Sequence, residues 1–179
     1  MVAFKRFWKK LWFGVLALAI LPGLFTAAPA TAKAHTPKNI IVMIADGRGY
    51  NHLLAASYYE SGKAYSQVYT RFPVRYAMST YSYYCDYDPS LAWSEFDYVK
   101  SCWTDSAAAA TAMATGYKTY DAAIGVDVNG NRVKNVLEAA EEQGKSTGVI
   151  TSVPFSHATP AGFVAHNVDR DAYLEIASE

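Results

Sequence analysis

Cysteine is scarce in this sequence, and a surplus of positive charge is missing. The chain of 179 residues has 2 cysteines, too few for a disulfide-rich scaffold or a cysteine-only zinc site. Basic and acidic residues number 16 each, but five basic residues and no acids lie in the first 34 positions. Residues 35–179 therefore carry 11 basic and 16 acidic side chains, a net charge of −5. This balance argues against a nucleic-acid-binding protein, which would need a basic stripe.

Long hydrophobic stretches are also missing, except in the first 34 residues. Four basic residues within the first ten positions precede an apolar stretch over residues 11–25, and Ala32 and Ala34 provide a cleavage site. The apolar stretch is shorter than the ~20 residues that span a bilayer. We therefore predict a secretory signal over residues 1–34, a mature chain that begins near His35, and a periplasmic or extracellular location. An uncleaved membrane anchor is the alternative.

Export would place the two cysteines in an oxidising compartment. Cys85 and Cys102 enclose sixteen residues, and closing that loop would stabilise the fold by ~3 kcal/mol. The spacing favours a disulfide between them, and two free buried thiols are the alternative.

Apolar segments and helical patterns alternate along residues 35–179, which we predict to form a single domain. Residues 39–45 and 146–153 are apolar and rich in β-branched side chains, which is typical of strands buried in a parallel sheet. Residues 74–84 alternate loosely and predict a strand or hairpin arm, and Asn129-Gly130 predicts a hairpin turn. Helices are predicted near residues 52–62, 107–115, 135–143, 160–165 and 169–178. This order indicates an α/β fold with a mostly parallel sheet.

Two candidate site residues lie at the ends of predicted elements, one just after a strand and one at the start of a helix. Asp46 follows the first apolar segment, where a carboxylate could bind a cation or simply cap the next helix. Ser106 lies in the first turn of an alanine-rich helix, where unpaired N–H groups favour an alkoxide and a nearby phosphate. A capping serine on a core helix is the alternative there.

Further candidate residues lie in the loop that follows the second apolar segment. His157 and Thr159 are two positions apart, so both side chains can point to one side and contribute to a cation site. Arg170 follows, and its planar guanidinium suits two phosphate oxygens. A turn histidine and a surface arginine are the alternatives.

These loops, in this order, resemble the alkaline phosphatase family. The resemblance lies in Asp46-Gly47 after the apolar segment, in Thr104-Asp105-Ser106-Ala107 with its alanine-rich continuation, and in His157-Ala158-Thr159-Pro160. It implies a three-layer sandwich with a mostly parallel central sheet flanked by helices, incomplete in this chain. It also implies hydrolysis of phosphate monoesters with two zinc ions and one magnesium ion, and it leaves a homodimer open for a full-length protein.

The resemblance also implies roles for individual residues. Ser106 matches the nucleophile that is transiently phosphorylated, and Asp46 matches the carboxylate shared by the second zinc and the magnesium. His157 and Thr159 match the loop at the magnesium site. Arg170 matches the arginine that binds phosphate, and Asp105 matches the residue that orients this arginine.

The sequence departs from the family pattern in three respects. Arg48 replaces an apolar residue, and His157 stands where some members have a carboxylate. The remaining zinc ligands of the family have no counterpart among the four histidines of the chain. We therefore expect an amino-terminal portion of such an enzyme, inactive by itself. A phosphodiesterase or sulfatase of the same superfamily, or a non-catalytic exported phosphate-binding module, are the alternatives.

Overall fold

The computed structural model describes residues 37–101 and 103–179, and their regular structure is helical. They divide into a unit that ends at Met43 and a unit over Ile44–Glu179, which are considered separately. The elements are α1 (Tyr50–Ser61), a one-turn 3₁₀ helix (Val68–Arg71), α2 (Pro89–Ser94), α3 (Tyr98–Ser101), α4 (Ser106–Thr115), α5 (Val136–Glu141), α6 (Ala158–Ala161) and α7 (Tyr173–Ala177). The predicted signal over residues 1–34 lies outside the described residues.

Helix α4 begins and ends at residues whose chemistry fixes both boundaries. Asp105, just before the helix, accepts a hydrogen bond from the Ala108 N–H at 2.8 Å, which satisfies a donor of the first turn. Gly116, just after it, adopts a left-handed φ of 79° and donates its N–H to the Ala112 carbonyl at 3.0 Å. The intervening alanines have the highest helix propensity of all residues. The predicted helix is confirmed.

Caps also define α1 and α5. Helix α1 ends at Gly62, which has a φ of 67°. Before α5, the Asn135 side chain accepts the Leu137 and Glu138 N–H groups, each at 2.9 Å. The Glu138 carboxylate in turn accepts the Asn135 N–H at 2.8 Å, which completes a capping box. The helices predicted at 52–62 and 135–143 are confirmed, and shorter helices, α6 and α7, occur near 160–165 and 169–178.

Small residues dominate the core of the Ile44–Glu179 unit. One buried cluster contains Ala107, Ile124, Ala158, Ala161, Ala165 and Ile176, and a second contains Ala110, Ala114 and Phe163, with Leu137 packed against it. A Cβ placed on Gly162, just after α6, would lie only 2.6 Å from the Ala110 Cβ in α4. Small side chains thus let α6 pack closely against α4, which fixes the start of α6 relative to α4.

The predicted strands do not form in the described residues, and the three-layer sandwich is not seen there. Residues 39–45, 74–84 and 146–153 are not strands, and strand pairing is limited to two isolated antiparallel bridges. The side chains of Ile41 and Ile150 are 84% and 102% exposed. An apolar pattern by itself does not make a strand, because a strand also needs hydrogen bonds from a neighbouring strand, and no such neighbour pairs with these segments in the described residues.

The predicted hairpin around Asn129-Gly130 is a tight turn closed by one of these bridges. Val126 pairs with Arg132, and the Asp127 N–H donates to the Asn131 carbonyl at 2.8 Å. Gly130 supplies the left-handed φ of 79° that the turn requires.

Candidate active site

Ser106 is the first residue of α4, and its hydroxyl points away from the helix toward a carboxylate. Its side chain is partly exposed and donates a hydrogen bond to Asp46 Oδ2 at 2.8 Å. The N–H groups of the first helical turn have no partners within the helix, so the positive end of the helix dipole lies beside this hydroxyl. A negative charge on Ser106 or on a bound anion is therefore favoured at this point.

Asp46 accepts hydrogen bonds from side chains at the starts of two helices, α4 and α6. Its Oδ2 accepts the Ser106 hydroxyl and also the Thr159 hydroxyl, the latter at 2.6 Å. These two hydrogen bonds hold the pKa of Asp46 below its usual range, and the bond from Thr159 has the larger effect. Partial burial acts in the opposite direction and raises this pKa. The charges of His157 and Arg170 lower this pKa further. Asp46 is therefore an ionised acceptor at neutral pH and a weak proton acceptor.

The start of α6 carries both Thr159, which bonds to this carboxylate, and His157. His157 occupies the N-cap position of α6, and Thr159 lies in its first turn. The Nδ1 atom of His157 is buried and makes no hydrogen bond to any described residue. A buried nitrogen without a partner is costly, so this atom is available to a ligand.

Arg170 is held by Asp105, the residue that caps α4. The Arg170 Nη1 donates to Asp105 Oδ2 at 3.0 Å, and the two side chains are 23% and 9% exposed. Asp105 Oδ1 meanwhile accepts the Ala108 N–H of the helix. A single carboxylate thus connects the arginine to the helix that carries Ser106.

A cation would find part of a coordination sphere at this site. Within residues 37–101 and 103–179, no three His, Cys, Asp or Glu side chains form a group that could bind a metal alone. The available donors are the Asp46 carboxylate, the Ser106 and Thr159 hydroxyls and the unpartnered His157 nitrogen. Oxygen donors suit magnesium and an imidazole suits zinc, so this donor set fits part of a divalent cation site.

The structure brings together most of the residues that the sequence indicated. Asp46, Ser106 and Thr159 form one hydrogen-bonded cluster, and Asp105 contacts Arg170. Sequence reasoning missed Asp121, whose Oδ1 accepts the Asp105 N–H at 3.2 Å. Sixteen positions and an entire helix separate the two residues, and no periodic or motif signal links them.

The structure describes one of the two cysteines of the predicted disulfide. Cys85 is disulfide-bonded, and the sequence has one other cysteine, Cys102. Because Cys102 lies outside the described residues, the pairing of the two stays a prediction.

Comparison with known proteins agrees with this arrangement. The profile of the alkaline phosphatase family matches residues 37–179. The chain is 38% identical to alkaline phosphatase 4 of Bacillus subtilis over 179 residues, covering 92% of this chain and 36% of that protein. It is 37% identical to alkaline phosphatase of Escherichia coli over 154 residues, covering 86% of this chain and 31% of that protein. The chain thus spans about a third of the length of these curated relatives.

A solved structure gives a similar result. The crystal structure of Thermus thermophilus alkaline phosphatase superposes with a TM-score of 0.51 at 30% identity, over 72% of this chain and 24% of that one. Among the described residues, none of the helices has the length and apolar character needed to cross a bilayer. The family profile covers more than half of the sequence, and the chain therefore belongs to the alkaline phosphatase family.

Proposed function

We propose that this chain provides the nucleophile, the phosphate-binding arginine and part of the cation site of a metal-dependent phosphomonoesterase. The observation that carries the proposal is the hydrogen bond of 2.8 Å between Ser106 Oγ and Asp46 Oδ2 at the start of α4. The two curated relatives described above are both named alkaline phosphatases, which supports the same substrate class.

Ser106 is the proposed nucleophile. Its Oγ releases its proton to solvent and forms a bond to the phosphorus while the bond to the ester oxygen breaks, and the alcohol leaves with a proton taken from solvent. Water then cleaves the phosphoserine and releases inorganic phosphate. Because the pKa of Asp46 is lowered, this carboxylate is poorly suited to remove the serine proton as a general base. Asp46 instead orients the hydroxyl and contributes negative charge for a cation.

Arg170 and the start of α4 are the proposed phosphate-binding groups. The guanidinium can donate to two nonbridging oxygens while one of its N–H groups stays on Asp105. Those N–H groups of the first helical turn that do not bond to Asp105 provide further donors beside Ser106. Both sets of donors stabilise the charge that develops on the phosphoryl oxygens.

Zinc and magnesium are the cations we propose for the complete enzyme, two of the former and one of the latter. Asp46, Ser106, His157 and Thr159 are the residues of this chain that would hold them. A divalent cation supplies positive charge that favours the ionised serine hydroxyl. Since the cluster contains a single carboxylate, we propose that the chain by itself turns over phosphate esters slowly or not at all.

Zinc titration of the full chain by calorimetry tests the site. We expect Asp46→Asn to weaken zinc binding by about tenfold or more, since a ligand charge is lost, and Thr159→Val to weaken it less. Ser94→Ala, in the exposed helix α2, is the matched control and should bind zinc like the wild type. Equal zinc affinity in Asp46→Asn and the wild type would contradict the proposed site.

Phosphate ester turnover tests the chemistry. With zinc and magnesium present, we expect little hydrolysis of p-nitrophenyl phosphate by the chain, and none by Ser106→Ala. Fast hydrolysis that Ser106→Ala abolishes would refute the proposed inactivity while supporting the nucleophile. Binding of inorganic phosphate that is independent of zinc would favour the non-catalytic binding module instead.

We also propose that residues 39–45 and 146–153 take strand positions in the sheet of a complete three-layer domain. Their exposed β-branched side chains support this, because isoleucine at 84% or 102% exposure is unfavourable in water. In the chain alone, hydrogen exchange at residues 146–153 should be fast. Slow exchange there would show that these residues already have a partner.

Export through cleavage of residues 1–34 is the proposed route to the periplasm or the medium. The basic start, the apolar stretch and the Ala32–Ala34 site support it. Expression in a bacterial host with a mass measurement of the exported product would test this, and the expected product begins near His35. A product that retains the first 34 residues would favour the membrane anchor.

A further inference from the structure

Residues 121–125 connect the helix that carries Ser106 with the segment that carries Arg170. On one side they bond to Asp105, and on the other side they bond to Asn167 and His166. We refer to residues 121–125 as the bridging segment. None of the roles proposed above requires its side chains.

The first end of the bridging segment surrounds Asp105. The Asp121 carboxylate accepts the Asp105 N–H at 3.2 Å, and the Ala122 N–H donates to Asp105 Oδ2 at 2.9 Å. This is the same oxygen that accepts the Arg170 guanidinium. Hydrogen bonds to both the backbone and the side chain of Asp105 therefore fix the orientation of its carboxylate.

Ala122 is held in a conformation that its side chain disfavours. Its φ is 76°, in the left-handed region that residues with a Cβ rarely occupy. The strained turn aims the Ala122 N–H at Asp105, and the next residues, Ala123 and Ile124, are fully buried and fix it in place. Such strain persists only where the surrounding contacts determine the backbone.

Two further contacts lock the bridging segment to α4. The buried Thr111 hydroxyl donates to the Ala123 carbonyl at 3.0 Å and accepts the Gly125 N–H at 2.9 Å. The segment thus meets α4 at its start through Asp105 and more than a turn later through Thr111. Rotation of the segment against the helix would break both sets of hydrogen bonds.

The other end of the bridging segment holds the residues that lead to Arg170. Ile124 and Asn167 exchange two backbone hydrogen bonds of 2.8 Å, and the Gly125 carbonyl lies 2.6 Å from His166 Nδ1. The approach is so close that a Cβ on Gly125 would lie 2.2 Å from the Ala165 carbonyl oxygen. The position of Arg170 therefore depends on the bridging segment twice, through the backbone and through Asp105.

We propose that Asp121 and Ala122 are positioning residues that set the place of the Arg170 guanidinium relative to Ser106. Asp121 fixes the Asp105 backbone, Ala122 fixes the Asp105 carboxylate, and Asp105 holds the arginine. The expected effect on phosphate affinity rests on the proposed phosphatase function. The structural part of the proposal, the restraint on Arg170, stands independently.

NMR of the Arg170 side chain in the full chain measures that restraint. In the wild type, we expect separate guanidinium N–H signals because one N–H is bonded to Asp105. Asp121→Ala should merge these signals, whereas Asp121→Asn, which keeps an acceptor oxygen, should restore them. Asp127→Ala is the matched control, because it removes a carboxylate that contacts only its own turn in the described residues. It should leave the Arg170 signals unchanged even if it lowers the melting temperature.

Inorganic phosphate, titrated with zinc present, gives the second measurement. Loss of the Asp121 hydrogen bond should weaken phosphate binding by about fivefold, the equivalent of one ordinary hydrogen bond. Unchanged Arg170 signals in Asp121→Ala would overturn the proposal whatever the phosphate affinity. If those signals merge but the wild type binds no phosphate, the positioning role stands and the proposed phosphatase function fails.

Discussion

Residues 44–101 and residues 104–179 differ in how many of their described hydrophobic side chains are buried. Every buried hydrophobic residue of the described chain lies between Ala107 and Ile176, and most of them are alanines. In the earlier region several large aromatic side chains are almost fully exposed, with Tyr59, Trp93 and Tyr76 at 96%, 92% and 91% exposure. Residue size therefore does not determine burial here.

The difference lies in what each region offers as a partner surface. Small residues on α4 and α6 bury each other because the helices can approach closely, so alanines give a dense core. Aromatic side chains need a broad apolar surface opposite them, and the short helices α2 and α3 do not provide one. Of the site residues, only Asp46 comes from the earlier region, and it is held by two hydroxyls of the later one.

The strongest test of this contrast is a methyl group added at Gly125. Gly125→Ala should lower the free energy of unfolding by about 3 kcal/mol or more, because the new Cβ would lie 2.2 Å from the Ala165 carbonyl and φ is 57°. Gly62→Ala in the earlier region has a similar φ of 67° and open space around the Cβ, so it should cost only about 1 kcal/mol. Urea denaturation measures both. Equal losses would show that the later region is no more tightly packed.

A methyl group at Gly162 tests the packing of α4 against α6 without backbone strain. Gly162→Ala should cost about 2 kcal/mol in urea denaturation, because the Cβ would lie 2.6 Å from the Ala110 Cβ and α4 would have to move. Gly148→Ala, which places its Cβ in open space, is the control and should change stability by less than about 0.5 kcal/mol. A neutral Gly162→Ala would contradict the close helix contact.

Removing the charge of Glu138 should have a smaller effect that depends on pH. The hydrogen bond from the Asn135 N–H is the main reason why the pKa of Glu138 lies below its ordinary value of 4.5. His166 lowers this pKa further, whereas partial burial raises it. The folded state therefore favours the ionised form. The resulting stabilisation is complete above the ordinary value and is lost as the pH falls through the lowered pKa.

We accordingly expect Glu138→Gln to cost about 0.5 kcal/mol at pH 7, because glutamine keeps an acceptor for the Asn135 N–H but loses the negative charge near the start of α5. The difference from the wild type should shrink as the pH falls below 4.5. Thermal denaturation across this range measures it, and Glu95→Gln, on the exposed end of α2, is the control from the earlier region. If the stability difference between the two proteins grew as the pH fell, the inferred stabilisation by ionised Glu138 would be contradicted.

The smallest effect is expected from the exposed aromatics. Tyr59→Ala should change the free energy of unfolding by less than about 0.5 kcal/mol, because the side chain is 96% exposed and little apolar surface is lost on truncation. Chemical denaturation is sufficient to measure this. A loss above about 1 kcal/mol would mean that this side chain is buried in solution, and the contrast between the two regions would then disappear.

Helix ends were predictable because their signals are local. Asp105, Gly116 and Asn135 act within a few residues of themselves, through side-chain caps or a left-handed backbone. The strands predicted at 39–45 and 146–153 are not seen in the described residues, because pairing is a property of two segments. An apolar sequence indicates that a segment can be buried, but it does not identify the segment that covers it.

The candidate site was partly predictable for a related reason. Asp46, Ser106 and Thr159 were recognisable from family motifs, and the structure places them within hydrogen-bond distance of one another. Asp121 and Ala122 escaped notice because their importance depends on a turn with φ of 76° that returns to Asp105. Alanine carries no sequence signal for such a conformation.

The hydrogen bonds of Asp46 have a consequence for the order of folding. They join residues that are 60 and 113 positions apart, and closing loops of that length costs conformational entropy that local helix formation does not. During synthesis, α4 can form and be capped as soon as Gly116 has emerged, whereas the serine and threonine hydroxyls cannot converge on the carboxylate until Thr159 has been added. The cluster of Asp46, Ser106 and Thr159 therefore assembles late, when the helices that carry its hydroxyls have already formed.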